Sequence, residues 1–327
     1  MSSSSSDDSK SDTEGTECGF DCWLKRCWVA SQERGLRTLS SGSPCAKLPP
    51  VSTECMQTRT KLLYGQQPLQ DWQTRLIILE GGTRDSPLSC RLVTVDLIAK
   101  EGVGVRETGE VVQYEAVSYS WGYPDFTVPI LCNDVEYYIT EGLHDALVCL
   151  RRENAARYLW IDAVCIDQYN LAEKARQVGN MLLIFRKARS VMAWLGRPDF
   201  PDLFPFEILC NMDIPLDEVG PAFPDGESHE TYLSSATTLD NVDDRHDRIC
   251  QEIWTQLQPG LTHLFSRPWF HRTWVRQESF AARRLMFQLG DRVLESEKLI
   301  RNAHFFQTRT SMNFSLADNK LLTISRL

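Results

Sequence analysis

The sequence predicts an α/β fold, with a mostly parallel central sheet flanked by helices, an N-terminal β extension and an acidic insertion. The main observation is that buried-strand runs alternate with helical periodicity between residues 114 and 196. This alternation is typical of βαβ units, whose strands lie parallel. The 327-residue chain is 42% hydrophobic and 24% charged, as expected of a globular protein.

Apolar spacing places the individual elements. Alternating or short continuous apolar runs predict strands at 75–79, 89–95, 114–119, 159–166, 190–195 and 286–289. Spacing of three and four residues predicts helices at 143–150, 173–189 and 274–284. A hairpin is expected over 130–139, because Asn133-Asp134 suits the left-handed backbone of a two-residue turn.

The chain divides into a leader and a domain. Residues 1–60 are rich in Ser and Asp and show little periodicity, so we expect a disordered leader before a domain over 61–327. The domain's motifs fall at 114–196 and 261–284. Between them, residues 198–253 carry fourteen acidic and two basic residues, which favours a solvated insertion with short helices.

Charge and patterning exclude several classes of protein. Asp and Glu outnumber Lys and Arg by 44 to 35, so no positive field attracts phosphate and no nucleic-acid partner is expected. No apolar run reaches the ~18 residues of a membrane span, and the N-terminus shows no secretory signal. We therefore expect a cytoplasmic protein with reduced cysteines.

Familiar catalytic and cofactor motifs are missing from the sequence. There is no P-loop, dinucleotide-binding glycine fingerprint or nucleophile elbow, which disfavours ATPase, dehydrogenase and α/β-hydrolase activity, and no cofactor is expected. Cys165 lies in a buried run without an adjacent His base, so it is disfavoured as a nucleophile. The 18–27 cysteine cluster and the pair His263 and His271 lack metal-ligand spacing, so we expect no metal site.

Three ordered motifs resemble the fungal heterokaryon-incompatibility (HET) domain. They are YEAVSYSWG at 114–122, LWIDAVCIDQ at 159–168 and RPWFHRTWVRQE at 267–278, with Asp167 where the family usually has Asn. The resemblance implies a cell-death effector of fungal non-self recognition, with an upstream sensor and homo-oligomerisation as the partnerships to consider. Many members continue for hundreds of residues past the domain, so we expect a C-terminal region to be missing. The simplest alternative to an active effector is a truncated or inactive member of the family.

A second resemblance, to Toll/interleukin-1 receptor (TIR) domains, suggests a chemistry. The order of strands and helices is similar to that of the TIR/flavodoxin-like fold, and Trp274-x3-Glu278 matches a TIR block. Some TIR domains use the glutamate of this block to cleave NAD between nicotinamide and ribose. The resemblance implies that Glu278 is catalytic and that NAD is a substrate, not a resident cofactor.

Glu278 suits the chemistry that this resemblance implies, because a fixed carboxylate stabilises the oxocarbenium-like state of N-glycosidic cleavage. Open α/β sheets bind ligands outside the carboxyl ends of their strands, where Ser118 to Trp121 and Asp162 are predicted to lie. Arginines hold pyrophosphate, and aromatic rings limit water and stack on ligands. The substrate-binding candidates are Ser120, Trp121, Asp162, Arg272 with Arg276, and Trp274 beside Trp269 and Phe270.

Each candidate has a structural alternative. Glu278 lies among five arginines, and an ion pair with one of them would make it a group that caps the core. A carboxylate such as Asp162 inside an apolar run often holds a loop by accepting backbone N–H groups. Trp121 is more typical of a core aromatic. The functional alternative is a non-enzymatic signalling module that self-associates.

Overall fold

A computed structural model describes residues 51–65, 68–97, 104–106, 109–123, 125–212 and 244–302. The helices are α1 (Thr53–Tyr64), α2 (Glu141–Leu150), α3 (Asp162–Cys165), α4 (Leu171–Lys187), α5 (Phe200–Asn211), α6 (Asp244–Phe265) and α7 (Val275–Ala281), with a 3-10 turn at Pro268–His271. The strands are β1 (Gln73–Leu79), β2 (Ser89–Asp96), β3 (Gly104–Arg106), β4 (Val111–Val112), β5 (Glu115–Tyr119), β6 (Phe126–Cys132), β7 (Val135–Thr140), β8 (Arg157–Trp160), β9 (Ser190–Gly196), β10 (Leu285–Leu289) and β11 (Arg292–Glu295).

The described strands form one mixed sheet in the order β11-β10-β9-β5-β8-β1-β2-β3-β4, and β6 pairs with both β2 and β7. Strands β10, β9, β5 and β8 run parallel. Strand β1 is antiparallel to both β8 and β2, and β11 is antiparallel to β10. The predicted α/β class is therefore confirmed, whereas the prediction of a mostly parallel sheet is wrong.

The sheet is mixed because the predicted N-terminal extension joins it. Every residue of β1 after Gln73 is buried, and Leu76 and Ile77 have no exposed surface. A strand that is covered on both faces belongs inside a sheet, and β1 lies between β8 and β2. Strand β1 is antiparallel to β8 because the chain enters it from the opposite end of the sheet. Apolar spacing along the sequence does not indicate strand direction.

The apolar run at 159–166 is a second correction. It was predicted as one strand, but β8 ends at Trp160 and the helical turn α3 begins at Asp162. The Asp162 carboxylate accepts a hydrogen bond from the Ala163 amide at 2.8 Å, which stabilises the start of the turn. Val164 and Cys165 remain fully buried in this turn, which explains why the run resembles a buried strand.

A buried ion pair ties β1 to α4. The guanidinium of Arg75 donates to both carboxylate oxygens of Glu173, at 2.6 and 3.2 Å, and both side chains are at most 4% exposed. Arg75 also lies 4.8 Å from the ring centroid of Tyr64, and Glu173 accepts from the Asp167 amide at 2.9 Å. These extra bonds compensate for the desolvation of the two charges.

The end of β9 is held by Arg267, the first residue of the third motif. Its guanidinium donates to the carbonyl oxygens of Leu195 and Arg197, each at 2.8 Å, and pairs with the fully buried Asp202. Gly196 has a φ of 108°, and a Cβ there would lie 2.9 Å from Arg267 Nη1. Arg267 therefore fixes the chain that leads into the 3-10 turn and α7.

The predicted leader and insertion are described only in part. Residues 53–60 of the leader belong to α1, whose Met56 is 1% exposed, so ordered structure begins before the predicted start of the domain. Residues 1–50 lie outside the described part of the chain, as do 213–243 of the insertion. Helices α5 and α6 flank that gap and pack together. Within the described residues, none of the helices is long and apolar enough to cross a membrane.

We predict that Glu173→Gln lowers the free energy of unfolding by about 3–5 kcal/mol, because it removes the buried negative charge that pairs with the buried Arg75 guanidinium. The matched control is Glu295→Gln, which breaks the pair with Arg284, whose side chain is 55% exposed. That change is expected to cost less than about 1 kcal/mol. Urea unfolding of both variants measures the difference, and equal small losses would contradict the assignment.

Candidate functional site

A ligand site is expected at the carboxyl ends of the central strands β5 and β9. These two strands are neighbours, but the chain after β5 passes through the β6–β7 hairpin and α2 to β8 on one side, and the chain after β9 leads to β10 on the other. Connections that leave in opposite directions create a crevice at the strand ends. Ser118 and Tyr119 lie at this end of β5, in register with Ala193 and Trp194 of β9.

A buried polar cluster lies at this end of β5. The Ser118 hydroxyl donates to the carboxylate of Glu278 and accepts from Trp269 Nε1 at 2.7 Å and Arg272 Nη1 at 3.3 Å. Arg272 also pairs with Glu278, through Nη2 to Oε1 at 3.1 Å and Nη1 to Oε2 at 3.3 Å. The donor and both acceptor positions of the hydroxyl are therefore all in use.

Local structure explains how the third motif reaches Ser118. The Trp269 ring is 1% exposed and packs edge-on against Phe270 and Phe287, with centroids 5.1 and 5.4 Å away. This packing anchors the 3-10 turn over the sheet. Helix α7 then begins at Val275, and Glu278 lies in its first turn on the buried side.

The Glu278 carboxylate is enclosed. The residue is 2% exposed, and both of its oxygens contact the Arg272 guanidinium. This arrangement fits the structural role considered for Glu278, in which an ion pair with an arginine caps the core. The Arg272 side chain is 21% exposed, whereas the Glu278 side chain is 3% exposed.

A second pair joins the first motif to the second. Trp121 Nε1 donates to both carboxylate oxygens of Asp162, at 3.0 and 3.2 Å. The Trp121 ring stacks on Tyr119, with centroids 6.4 Å apart and an interplanar angle of 11°. Both Trp121 and Asp162 are partly exposed. As a whole residue, Asp162 is therefore less enclosed than Glu278, although its carboxyl group itself is largely desolvated.

The charges of the two pairs interact. Burial raises the pKa of the Asp162 carboxyl to about 6; the Trp121 hydrogen bond and the positive charge of Arg272 act to lower it, and the negative charge of Glu278 raises it. Burial also raises the pKa of Tyr119, which senses both Asp162 and Arg272. These mutual effects show that the Asp162 pair and the Glu278 pair belong to one electrostatic site.

The remaining predicted residues lie at the margin of this cluster. Ser120 is partly exposed, but its Oγ is buried and has no hydrogen-bond partner among the described residues. Trp274 is 48% exposed and precedes the first residue of α7. The four-residue spacing of Arg272 and Arg276 in the sequence predicts that both lie on one helical face, but Arg272 precedes α7, so this prediction is wrong.

The cluster uses Ser118 where the sequence interpretation favoured Ser120. Side chains alternate along a strand, so Ser118 shares the face of Ala116, opposite Tyr119. A serine within the buried part of β5, Ala116 to Tyr119, is the signal in the sequence, because a buried hydroxyl requires a partner. The hydrogen bond from Trp269 was not foreseen, since it depends on the 3-10 turn.

Three other residues have the spacing of a metal site. Ligand atoms of Asp199, Asp202 and His263 lie within 4.8 Å of one another. However, both carboxylates pair with Arg267, and Asp202 also accepts the Asp199 amide at 3.0 Å in a capping box at the start of α5. The Arg267 guanidinium therefore supplies the positive charge between the two carboxylates, and these ion pairs stabilise the fold.

We predict that Asp162→Asn changes the pH dependence of stability. The pKa of Asp162 rises from 3.8 in the unfolded chain to about 6 in the fold, so the folded state binds more protons between these values. The wild-type free energy of unfolding therefore falls as pH rises through this window, and the variant lacks that contribution. Relative to wild type, the variant should gain roughly 1–3 kcal/mol between pH 4 and pH 7. Urea unfolding at both pH values measures this gain, and a constant difference would contradict it.

Comparison with known proteins agrees with the motifs that meet in this site. The family model described as heterokaryon incompatibility protein (HET) matches residues 114–278, from the start of the first motif to Glu278. The chain is also 27% identical over 208 residues to heterokaryon incompatibility protein 6, OR allele, of Neurospora crassa. That match covers 57% of this chain and 30% of the relative, so the chain spans less than a third of the relative's length. No solved structure matches. The chain belongs to the heterokaryon-incompatibility (HET) family.

Proposed function

We propose that this chain is a cytoplasmic cell-death effector of fungal non-self recognition. We further propose that the polar cluster at the carboxyl end of β5 hydrolyses NAD at the nicotinamide–ribose bond. Family membership and the Neurospora relative support the incompatibility role. The observation that supports the chemistry is the meeting of Ser118, Arg272 and Glu278 beside the partly exposed Trp121–Asp162 pair. A TIR-like arrangement of the parallel strands is part of this proposal.

Each residue of the cluster has a defined role in this reaction. Nicotinamide leaves with the electron pair of its bond to ribose C1′, and the Glu278 carboxylate stabilises the positive charge that develops on the ribose. Water then adds to C1′, and its proton passes to a base. Asp162 suits that step, because it is partly exposed and its pKa of about 6 leaves it mostly ionised at neutral pH. The products are nicotinamide, ADP-ribose and a proton.

Arg272 determines whether substrate reaches Glu278. Its side chain is 21% exposed and that of Glu278 only 3%, so the ribose is expected to approach past the guanidinium. The Arg272–Glu278 contacts are 3.1 and 3.3 Å long, whereas the shorter contact of the enclosed Arg75–Glu173 pair is 2.6 Å. An anionic group of the substrate would contact the same guanidinium. The longer contacts favour a pair that can shift, without separating, to admit the ribose when substrate binds.

The first test is the release of nicotinamide from NAD by the purified chain. We expect Glu278→Gln to lower the rate by at least about 100-fold, since the loss of one transition-state stabilising group typically costs that much. The matched control is Glu207→Gln, which alters another 2%-exposed glutamate paired with an arginine, Arg292, on α5. It should retain activity within a few fold.

Two results would contradict the hydrolase. One is wild-type protein that releases no nicotinamide in either its monomeric or its assembled form. The other is Glu278→Gln protein that is as active as wild type. Thermal melting of both glutamate variants shows whether a loss of rate reflects chemistry or unfolding.

The enclosure of Glu278 favours a second candidate, a non-enzymatic module that self-associates and recruits partners. Large apolar side chains are exposed on the packed pair α4 and α7 and at its margin: Leu183 is 40% exposed, Trp274 48% and Phe280 56%. Apolar side chains exposed close together are typical of interaction surfaces. In this reading the Arg272–Glu278 pair only supports the fold, and toxicity in fungal cells survives Glu278→Gln.

We predict that Phe280→Glu weakens self-association if this surface is the contact. The change places a charge at the centre of an apolar interface, which is expected to lower the association constant at least about tenfold. Phe200→Glu is the matched control, because Phe200 is 68% exposed on α5. Sedimentation velocity over a concentration series measures both variants. Wild-type protein that stays monomeric throughout would contradict the self-association proposal.

A further inference from the structure

The Arg272 guanidinium uses only part of its hydrogen-bonding capacity within the described structure. Nη1 donates to Ser118 and Glu278, and Nη2 donates once, to Glu278. Among the described residues, no group accepts from Nε–H or from the second N–H of Nη2. A guanidinium presents five N–H donors in a planar fork, and Nε and Nη2 form one of its two-donor edges. One edge of Arg272 therefore holds Glu278, and the adjoining edge keeps both donors.

That edge is accessible from outside the cluster. The Arg272 side chain is 21% exposed, whereas the Glu278 side chain beneath it is 3% exposed. The comparable Arg75–Glu173 pair is closed on both sides, at 4% and 3%. Arg272 is thus a fixed arginine, oriented by Glu278 and Ser118, with two donors left for two oxygen atoms of an anion. Bidentate binding of phosphate is the interaction that this geometry favours.

The charge next to this edge depends on Asp162. Glu278 and Asp162 place two carboxylates around the single positive charge of Arg272. The other groups facing the Asp162 carboxylate are the Trp121 indole and the Ala163 amide, which donate to it, and the phenol of Tyr119, whose pKa burial raises so that it stays neutral. When Asp162 is ionised, the three charged groups sum to one negative charge, and when it is protonated they sum to zero.

We propose that the Nε–Nη2 edge of Arg272 binds a phosphate of a nucleotide diphosphate while the other edge keeps Glu278, and that ionised Asp162 weakens this binding. The inference deepens the proposed function, since the diphosphate would be that of NAD. One arginine then bridges the substrate phosphate and the catalytic carboxylate, which fixes the distance between them. The binding step itself does not require hydrolysis.

The proposal makes the affinity for the diphosphate depend on pH. Asp162 loses its proton near pH 6, so a bound phosphate is repelled at pH 7.5 but not at pH 5. A unit charge several Å away, partly screened by solvent, changes an affinity by about five- to tenfold. His271 is exposed and adjacent to Arg272 in the sequence, so the comparison is made with Asp162→Asn, which isolates the contribution of the Asp162 carboxylate.

The test is calorimetric titration of the chain with ADP-ribose, whose diphosphate keeps the same charge between pH 5 and pH 7.5. Wild type should bind about five- to tenfold more tightly at pH 5, and Asp162→Asn should bind with nearly the same affinity at both pH values. Arg272→Lys keeps the charge but removes the two-donor edge, so it should lose at least about tenfold in affinity. Arg91→Gln is the control, because Arg91 is 62% exposed on β2 and lies outside the site, and it should bind like wild type.

Adenosine and inorganic phosphate, titrated in parallel, show which part of ADP-ribose is recognised; adenosine should not bind, and phosphate should bind weakly. The proposal is overturned if ADP-ribose does not bind, if Arg272→Lys binds normally, or if Asp162→Asn retains the pH dependence. Should Arg272→Lys fail to fold, the Asp162→Asn comparison decides the outcome. ADP-ribose binding without NAD cleavage would refute only the hydrolase, whereas cleavage with unchanged affinity in Arg272→Lys would refute only this inference.

Discussion

The buried carboxylate of Glu278 is the constraint on which the candidate site depends. A charge that is 2% exposed requires a counter-ion and hydrogen-bond donors, which Arg272 and Ser118 provide. To bring these groups together, the chain must place the end of β5, the 3-10 turn and the first turn of α7 at one edge of the sheet. Hydrogen bonds thus join the first and third motifs, although the bonded residues are more than 150 positions apart in the sequence.

Local elements were predicted well because their causes are local. The helical spacing at 143–150 and the Asn133-Asp134 turn correspond to α2 and the β6–β7 hairpin, and both turn residues have positive φ. The mixed sheet and the end of β8 at Trp160 were not predicted. A buried strand, a buried helical turn, and parallel or antiparallel neighbours all produce the same apolar run.

The sequence predicted which residues belong to the site better than it predicted how they contact one another. The sequence interpretation named Glu278, Arg272, Trp121 and Asp162, and the structure joins them as two interacting pairs. It could not show that Glu278 is enclosed while Asp162 is partly exposed, because burial depends on how the third motif folds over the sheet. The two carboxylates therefore differ in environment, which is the usual basis for a division of roles within one site.

The central claim is that Arg272 and Glu278 are energetically coupled within the folded chain, which a double-mutant cycle measures directly. Urea unfolding of wild type, Arg272→Met, Glu278→Gln and the double variant gives the coupling free energy. Each single change leaves one buried group without its partner, so we predict a coupling of about 1.5–3 kcal/mol. Additive effects, with a coupling within about 0.5 kcal/mol of zero, would show that the pair does not organise this site.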